Sequence, residues 1–323
     1  MADHAADDDG DNVFVYTGGR APRHVTHVRI DESVDVIEDH AFNGCEHLVQ
    51  VETHNGIRSV GKRAFCYCIL LRRISLKHVV EIGQSAFDGC ENLADVGFGD
   101  NIETIGMFAF YGCSSLKHLN LPSIITIRRE AFCNCMALTD VELSERLETT
   151  EGQAFWNCKR LQRIAIPLKR DLIPFDDTLQ QYSQFYGCFQ LTKIDLVGGT
   201  HKTVSSLHME SWSTEMIAEI NRINQVLPDT QARNKTDEIR RWMYSVIDKM
   251  DRYKAEHYRY VKEGITLLEL ALWKARLDEK EESSKEGTTK KAKVDAESAR
   301  KDRRITCGAD VVIKNVLPFL KLV

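Results

Sequence analysis

Hydrophobic residues recur along this chain with a period of 22 or 23 residues, until a longer last step of 30. In each unit a phenylalanine is followed by a cysteine three places later and by a leucine six places later. Nine places after each phenylalanine comes valine, isoleucine or leucine. The phenylalanines that define the units are Phe42, Phe65, Phe87, Phe110, Phe132, Phe155 and Phe185. Such self-similarity predicts a stack of repeated structural units.

Apolar and polar residues alternate after the leucine of each unit, which predicts a short strand with one buried face. Leu119 and Leu121, for example, lie between polar neighbours. Two further apolar columns lie eight and five places before the phenylalanine, and the second column fails at Thr150. Because one coil cannot bury so many apolar residues alone, we expect stacked coils that align each column into a ladder.

Two segments carry a family resemblance: VEIGQSAFDGCENLADVGF, residues 80–98, and IETIGMFAFYGCSSLKHLNLP, residues 102–122. They resemble the BspA-type leucine-rich repeat, which is known from bacterial surface proteins and from intracellular proteins of microbial eukaryotes. The resemblance covers roughly residues 25–197. It implies an α+β repeat fold, a right-handed leucine-rich-repeat solenoid with a parallel sheet, together with a protein-binding function and no enzymatic residues.

Both ends of the repeat region are atypical, as the ends of a stack must be. Before the first full unit, Val25, Val28 and Ile30 supply half a repeat, and the segment 14–16 is placed to cover it. The seventh unit departs from the family pattern, because Gln184 replaces the alanine and residues 168–183 are inserted. The geometry of this insertion is left open.

Seven of the ten cysteines share one column: Cys45, Cys68, Cys90, Cys113, Cys135, Cys158 and Cys188. Stacked coils hold such thiols about 4.8 Å apart, whereas a disulfide needs its Cβ atoms about 3.8 Å apart. Zinc needs ligands that converge on a point, which a column does not provide. We therefore predict buried thiols that act as small apolar groups. Cys66 and Cys133, outside the column, are predicted to face solvent.

After Leu196 the strand pattern ceases and helical spacing begins. Residues 209–227 predict one helix, and a second helix is predicted from about Thr236. His257 and Tyr260 in its apolar seam disfavour a coiled coil, which remains the alternative to packing on the neighbouring helix or the last coil. Gly264 is predicted to hinge or break this helix. Residues 265–277 are apolar nearly all round and require a cover.

Residues 278–304 are charged and lack aromatic residues, which predicts a linker that does not fold by itself. Their second half, residues 290–304, is rich in Lys and Arg and admits two interpretations: a solvated linker, or a patch for nuclear import or nucleic acid. Interspersed acidic residues and the missing aromatics argue against nucleic acid. The apolar segment 305–323 is predicted to dock on the helix at 265–273, with capture by a partner as the alternative.

Composition points to an intracellular protein. The chain has 323 residues, of which 43% are hydrophobic, and a net charge of −5. No apolar run approaches the 18 or so residues of a membrane span. Residues 1–12 contain five aspartates and neither Lys nor Arg, unlike a signal peptide. Ten cysteines fit a reducing compartment, so we predict a cytoplasmic location, with the nucleus as the alternative.

Motifs for catalysis and for cofactors are absent from the sequence, including the phosphate-binding G-x-x-x-x-G-K-[ST], the nucleophile-bearing G-x-S-x-G and the zinc-binding H-E-x-x-H. His24 and His27 lie close together, but two imidazoles without a third ligand are more often surface residues than a metal site. We therefore predict no enzyme, no cofactor and no metal site.

Strand residues alternate, so the positions eight and ten places after each phenylalanine are predicted to face solvent. Their side chains vary in size and charge, and stacked repeats present such columns as one extended binding surface. The predicted partner-binding residues are Arg73, Asp95, His118, Asp140, Arg163 and Lys193.

We predict five regions: a disordered acidic segment, 1–12; a solenoid of seven full repeats and one half repeat, 13–199; a helical capping region, 205–277; a charged linker, 278–304; and an apolar segment, 305–323. The predicted function is that of a scaffold that binds a protein partner through the solvent-facing side of the repeat sheet. The alternative is a nuclear protein that associates with nucleic acid through residues 290–304. Partner identity and oligomeric state are not written in the sequence.

Overall fold

The computed structural model describes residues 13–173, 183–197 and 210–285. The acidic segment 1–12, the basic residues 290–304 and the apolar segment 305–323 lie outside the described residues, as does most of the insertion at 168–183. The predictions for those segments stay predictions. Among the described residues, no helix combines the length and the hydropathy that crossing a bilayer requires.

The described residues form fifteen short β-strands, in chain order β1 (Val13–Tyr16), β2 (His27–Ile30), β3 (Val36–Ile37), β4 (Gln50–Glu52), β5 (Ser59–Val60), β6 (Arg73–Leu76), β7 (Glu81–Ile82), β8 (Asp95–Phe98), β9 (Thr104–Ile105), β10 (His118–Asn120), β11 (Thr126–Ile127), β12 (Asp140–Glu142), β13 (Thr149–Thr150), β14 (Arg163–Ile166) and β15 (Lys193–Leu196). Two α-helices follow, α1 (Glu210–Val226) and α2 (Lys235–Lys285). Short 3-10 helices occupy Arg170–Leu172 and Ala232–Asn234.

All strand pairs are parallel, and the six coils from β2 to β13 each contribute one strand to each of two ladders, while β1, β14 and β15 belong to the longer ladder alone. One ladder runs β3-β5-β7-β9-β11-β13. The other consists of two hydrogen-bonded segments, β1-β2-β4-β6-β8 and β10-β12-β14-β15. Equivalent residues of successive units pair with one another, such as Ile74 with Val96. This arrangement confirms the predicted solenoid with a parallel sheet.

The phenylalanines stack through the centre of the coils as one ladder. From Phe42 to Phe155 the ring centroids of neighbouring phenylalanines lie 5.0 to 5.5 Å apart, with interplanar angles of 5 to 8°. The last step, from Phe155 to Phe185, widens to 6.0 Å where the insertion lengthens the repeat. Each ring is fully or almost fully buried. The ladder therefore sets the spacing of the coils along the stack.

The turn that carries each phenylalanine bends through a left-handed residue two places later. Gly44, Gly89, Gly112 and Gly187 hold this position with φ of 70 to 78°, and Tyr67, Asn134 and Asn157 hold it in the other described units. A Cβ atom at Gly89 would lie 2.7 Å from the ring of Tyr67. Glycine therefore serves two purposes there: it permits the turn and leaves room for the tyrosine ring of the preceding coil.

The column cysteines donate hydrogen bonds between coils. The Sγ atom of Cys113 lies 3.2 Å from the carbonyl oxygen of Phe87 in the preceding coil, and five other units repeat this contact at 3.0 to 3.3 Å. In the first unit, Cys45 instead lies 3.6 Å from the carbonyl oxygen of Pro22. The thiol is small enough for the core and also satisfies a buried carbonyl lone pair. These cysteines are free and buried, as predicted.

The prediction that Cys66 and Cys133 face solvent is wrong, because both thiols are buried. They follow the phenylalanine directly, a place at which Tyr111 and Trp156 are half-buried. A thiol is too short to extend past the side chains of the flanking coils, whereas a ring is long enough. Burial raises the pKa of Cys66 to about 11 and that of Cys133 to about 12.

Strand β1 closes the N-terminal end of the stack, as the half-repeat interpretation required. It pairs with β2 in parallel, and Tyr16 continues the phenylalanine ladder with its ring centroid 4.8 Å from that of Phe42. The Tyr16 hydroxyl donates a hydrogen bond to the carbonyl oxygen of Gly19. A phenolic ring thus ends the ladder because its polar atom finds a partner at the margin of the core.

Two exceptions to the repeat pattern bond to each other near the insertion. The side-chain amide nitrogen of Gln184, Nε2, donates a hydrogen bond to the carbonyl oxygen of Thr150 at 2.8 Å, and the threonine hydroxyl lies 3.3 Å from the same nitrogen. The Thr150 hydroxyl in turn donates to the carbonyl oxygen of Leu172. Both side chains are buried, and these hydrogen bonds offset the cost of placing a polar side chain in an apolar column.

The C-terminal end of the stack is closed by α1 and by the start of α2. The Asn224 side chain accepts a hydrogen bond from the backbone N–H of Ile194 at 2.7 Å and donates one to its carbonyl oxygen at 3.1 Å. The Thr236 hydroxyl accepts from the N–H of Phe185, and Lys235 Nζ donates to the carbonyls of Phe189 and Leu191. These side chains replace the backbone partners that a further coil would provide.

The chain divides into two compact units, residues 1–247 and 248–323, and the boundary falls within α2. The first unit contains the repeats, α1 and the start of α2, where Trp242 donates from Nε1 to the carbonyl oxygen of Glu219. In the second unit, α2 continues through Gly264 without a break, so the predicted break there is wrong. A single exposed glycine costs a helix only about 1 kcal/mol, which the flanking helix formers offset.

Replacing Asn224 tests the cap. Asn224→Ala leaves the N–H and the carbonyl of Ile194 without these partners, and we expect the free energy of unfolding to fall by about 3 kcal/mol. Asn221→Ala, an exposed position of the same helix, should change it by no more than about 0.5 kcal/mol. Chemical denaturation of the two variants measures both effects. Equal losses would contradict the assignment of Asn224 as a cap.

The thiols predict a pH dependence. An unfolded thiol titrates near pH 8.5, so the stabilisation from Cys66 and Cys133 is complete below that pH and is lost as pH rises toward their folded pKa values of about 11 and about 12. Between about pH 9 and 10, each thiol should lower the free energy of unfolding by about 1.4 kcal/mol per pH unit. Urea titrations with reductant should show a shallower slope for Cys66→Ala. An unchanged slope would contradict a raised pKa.

Candidate functional site

The solvent-facing columns of the longer ladder form the candidate site. Along β6 the residues alternate between exposed and buried positions, beginning with exposed Arg73. The same alternation begins β8 at Asp95 and β10 at His118. Because the strands are parallel and in register, the residue eight places after each phenylalanine falls in one row on the surface. We call this surface the sheet face.

The structure places the six predicted residues on the sheet face in two groups. Arg73 and Asp95 are register partners on β6 and β8. His118, Asp140, Arg163 and Lys193 are successive register partners on β10, β12, β14 and β15. The geometry confirms that these residues share one face, while their role in binding stays a prediction.

The two groups are separated because strand pairing is interrupted between β8 and β10. Phe98 ends β8 at the position that leucine or isoleucine holds in β6 and β14. Its ring packs against that of Phe110 in the next coil in a T-shaped arrangement, with centroids 5.8 Å apart and planes at 74°. The larger side chain occupies space beside the phenylalanine ladder, which is consistent with the local separation of the two strands.

Arg163 anchors the second group through a set of ion pairs. Its Nε atom donates to Asp195 at 2.5 Å, and its Nη1 atom donates to Asp140 at 3.1 Å, with Glu142 3.8 Å away. Lys193 adds a contact of 3.6 Å to Asp195. Burial lowers the pKa of Arg163, but the hydrogen bond to Asp195 and the nearby carboxylates outweigh this effect and raise it. The guanidinium group of Arg163 therefore already binds the carboxylates of Asp140 and Asp195 on the same surface.

A shallow, open depression spans the interruption between the two groups. It is lined by Arg72, Arg73, Asn92, Ala94, Asp95, Ser114, Ser115, Lys117 and Ala137. Arg72 and Lys117 precede their strands by one residue and are exposed. The sequence prediction missed both, because it considered only the strand positions eight and ten places after phenylalanine. The same period would have found them, seven places after.

In the described part of the chain, no three potential metal ligands among His, Cys, Asp and Glu converge. The charges of the sheet face are distributed along rows rather than gathered at a point. Such an array suits recognition of an extended surface more than chemistry on a small molecule.

Comparison with known families identifies the repeats. The BspA type leucine rich repeat region matches in six copies, over residues 21–126, 64–182 and 108–225. These overlapping segments together reach from residue 21 to residue 225, which is more than half of the chain. A search among curated proteins found no match.

Solved structures with similar repeats include three leucine-rich repeat proteins from bacteria. A leucine-rich repeat protein of T. pallidum is 23% identical, with a TM-score of 0.39, and the match covers 64% of this chain and 87% of that one. A leucine-rich repeat protein of Bacteroides ovatus is 21% identical, with a TM-score of 0.37, over 54% of this chain and 61% of that one. One of Eubacterium ventriosum is 23% identical, with a TM-score of 0.39, over 52% and 40% respectively. The likeness at these values concerns the repeat fold alone.

The two arginines of the sheet face should respond differently to charge reversal. Arg163→Glu places a fourth carboxylate among Asp140, Glu142 and Asp195, and we expect a loss of about 1 to 2 kcal/mol in the free energy of unfolding at low salt. Arg73→Glu removes no ion pair and should change stability by less than about 0.5 kcal/mol. Thermal unfolding at low and high salt compares the melting temperatures of the two variants, and added salt should reduce the difference between those temperatures. Equal melting temperatures would contradict the structural role of Arg163.

Proposed function

This chain belongs to the BspA-type leucine-rich repeat family, and we propose that it is a protein-interaction module that binds a partner through the sheet face. Leucine-rich repeats generally mediate protein–protein interaction. The observation that carries the proposal is the register of the solvent-facing rows, which holds side chains of different charge at fixed spacing on strands that the core ladder immobilises.

A rigid array favours binding because its side chains are already positioned. Strands about 4.8 Å apart fix the separation of neighbouring side chains, so less conformational freedom is lost on association than for a flexible loop. Asp95 and Arg73 stand next to each other in one row, and His118 begins the next segment. A partner must therefore match alternating charges, which excludes partners with the wrong pattern.

The two groups of the face would contribute in different ways. Arg163 already shares its donors with Asp140 and Asp195, so a partner gains little from replacing those contacts. The group around Arg73 is exposed and has no comparable internal ion pair among the described residues. We place the energetic centre of binding at Arg73 and His118, where Asp95 restricts which partners fit. Asp140, Arg163 and Lys193 form a structured border.

Three further predictions rest on the sequence alone. The alternative function, association with nucleic acid through residues 290–304, concerns a segment outside the described residues. The cytoplasmic location and the absence of enzymatic activity likewise remain predictions.

Affinity capture from the source cells tests the proposal. The bait is full-length protein, compared with Arg73→Glu/His118→Glu on the sheet face and with a control, Arg58→Glu/Lys62→Glu. Arg58 and Lys62 are exposed residues that flank β5 in the other ladder. We expect the main captured protein to be lost with the sheet-face variant and retained with the control, while both variants melt like the native protein. Normal capture by the sheet-face variant would contradict the proposal.

A further inference from the structure

Three exposed cations meet at the interruption of the sheet face. Arg72 and Arg73 lie at the start of β6, and Lys117 directly precedes β10. All three line the same depression, together with a single carboxylate, Asp95. The depression thus has more positive than negative charge, although the whole chain carries a net charge of −5.

These cations are not used by the fold. Among the described residues, Arg72, Arg73 and Lys117 form no ion pair, whereas Arg128, Arg146 and Arg163 each pair with a carboxylate of another coil. Like charges placed together at a surface repel each other, so a cluster without internal counter-ions favours an external anion. The absence of ion pairs distinguishes this cluster from Arg163 and Lys193 on the same face.

We propose that this cluster of Arg72, Arg73 and Lys117 recognises an acidic segment of the protein partner. The inference rests on the proposed function and names the chemistry of its partner. The guanidinium groups offer forked donors that match carboxylates, and Lys117 supplies a second positive point on the far side of β8. The partner segment lies across the strands, over the gap between β8 and β10.

The spacing of the cations restricts the partner. Arg73 and Lys117 belong to coils two steps apart, and two steps at the spacing of paired strands amount to roughly 10 Å. In an extended polyproline-II conformation, residues three apart lie on the same side and are separated by about 9 Å. An acidic residue at every third position therefore matches the cluster better than a continuous acidic run.

Nucleic acid is a poorer fit to the same cluster. A single-stranded backbone needs a continuous basic track and stacking platforms for its bases. Asp95 lies between the two cationic ends of this depression, and no aromatic side chain lines it. A peptide whose carboxylates are spaced apart can place them away from Asp95 and avoid repulsion. A nucleic acid carries a phosphate at every nucleotide and cannot.

The experiment needs a control for the acidic residues of the N-terminal segment, because aspartates within reach of the cluster would compete with an acidic probe. Val13, His27, Gln50 and Arg73 form one register row, so Val13 lies roughly 14 Å from Arg73. Asp9 is four residues before Val13, and four extended residues also span roughly 14 Å. A full-length variant with Asp7, Asp8, Asp9 and Asp11 replaced by asparagine therefore belongs in the experiment.

Fluorescence anisotropy with a defined probe tests the inference. The probe is a labelled twelve-residue peptide with glutamate at every third position between proline and serine, and its matched control carries glutamine instead. We expect the glutamate probe to bind at low salt and to weaken as salt increases. Arg72→Glu/Arg73→Glu/Lys117→Glu should weaken it by about tenfold or more, while Arg58→Glu/Lys62→Glu should not.

Several outcomes would overturn the inference. One is equal binding of the glutamate and glutamine probes, and another is equal binding of the glutamate probe by the two charge-reversal variants. A third is that oligothymidylate binds through the cluster more tightly than the glutamate probe does. The last is that neither the native chain nor the asparagine-substituted chain binds the glutamate probe. If the probe fails while Arg73→Glu/His118→Glu still abolishes partner capture, the sheet face is the site and its chemistry is wrong. If the probe binds as expected while capture is unaffected, the proposed function fails instead.

Discussion

The stacking of phenylalanine on phenylalanine is the constraint on which the rest of the repeat region depends. Rings held 5.0 to 5.5 Å apart and nearly parallel fix both the rise and the rotation from coil to coil. Offset stacking gives each pair about 0.5 to 1.5 kcal/mol beyond burial, and a central ring such as Phe110 has a neighbour on each side. An aromatic ring therefore returns to the same place in every coil, and from Phe42 to Phe155 the period varies by a single residue.

The features around the ladder follow from this spacing. Coils that approach so closely leave room beside the ring for alanine and a thiol, and the thiol of Cys113 also satisfies the carbonyl of Phe87. Such a stack has no natural end, because each coil leaves backbone groups for the next one. At the N-terminal end, the ring of Tyr16 completes the ladder and its hydroxyl donates a hydrogen bond. At the C-terminal end, the side-chain amide of Asn224 makes the two backbone hydrogen bonds that a further strand would make.

The sequence was sufficient for features that repeat and insufficient for those that occur once. Seven copies of the phenylalanine register made the solenoid, the buried cysteine column and the solvent-facing rows predictable, because each copy tests the same spacing. The burial of Cys66 depends on side-chain length relative to neighbouring coils, which one column does not reveal. Thr150 and Gln184 were each visible as exceptions, but only the fold brings the two exceptions within hydrogen-bonding distance. The sequence likewise showed which columns contain the carboxylates around Arg163, but it did not predict that these carboxylates form ion pairs with Arg163.

The same division explains how a fold this constrained can still specify a partner. The ladder fixes every inward position, so variation is confined to places whose side chains reach solvent, such as Arg73 and Lys117. Substitution there costs little stability as long as the side chain has no internal partner. Arg163 shows the opposite case, since its four-residue ion-pair network with Asp140, Glu142 and Asp195 makes it part of the structure. Cations that remain without internal counter-ions on such a surface therefore indicate recognition more strongly than cations that are paired.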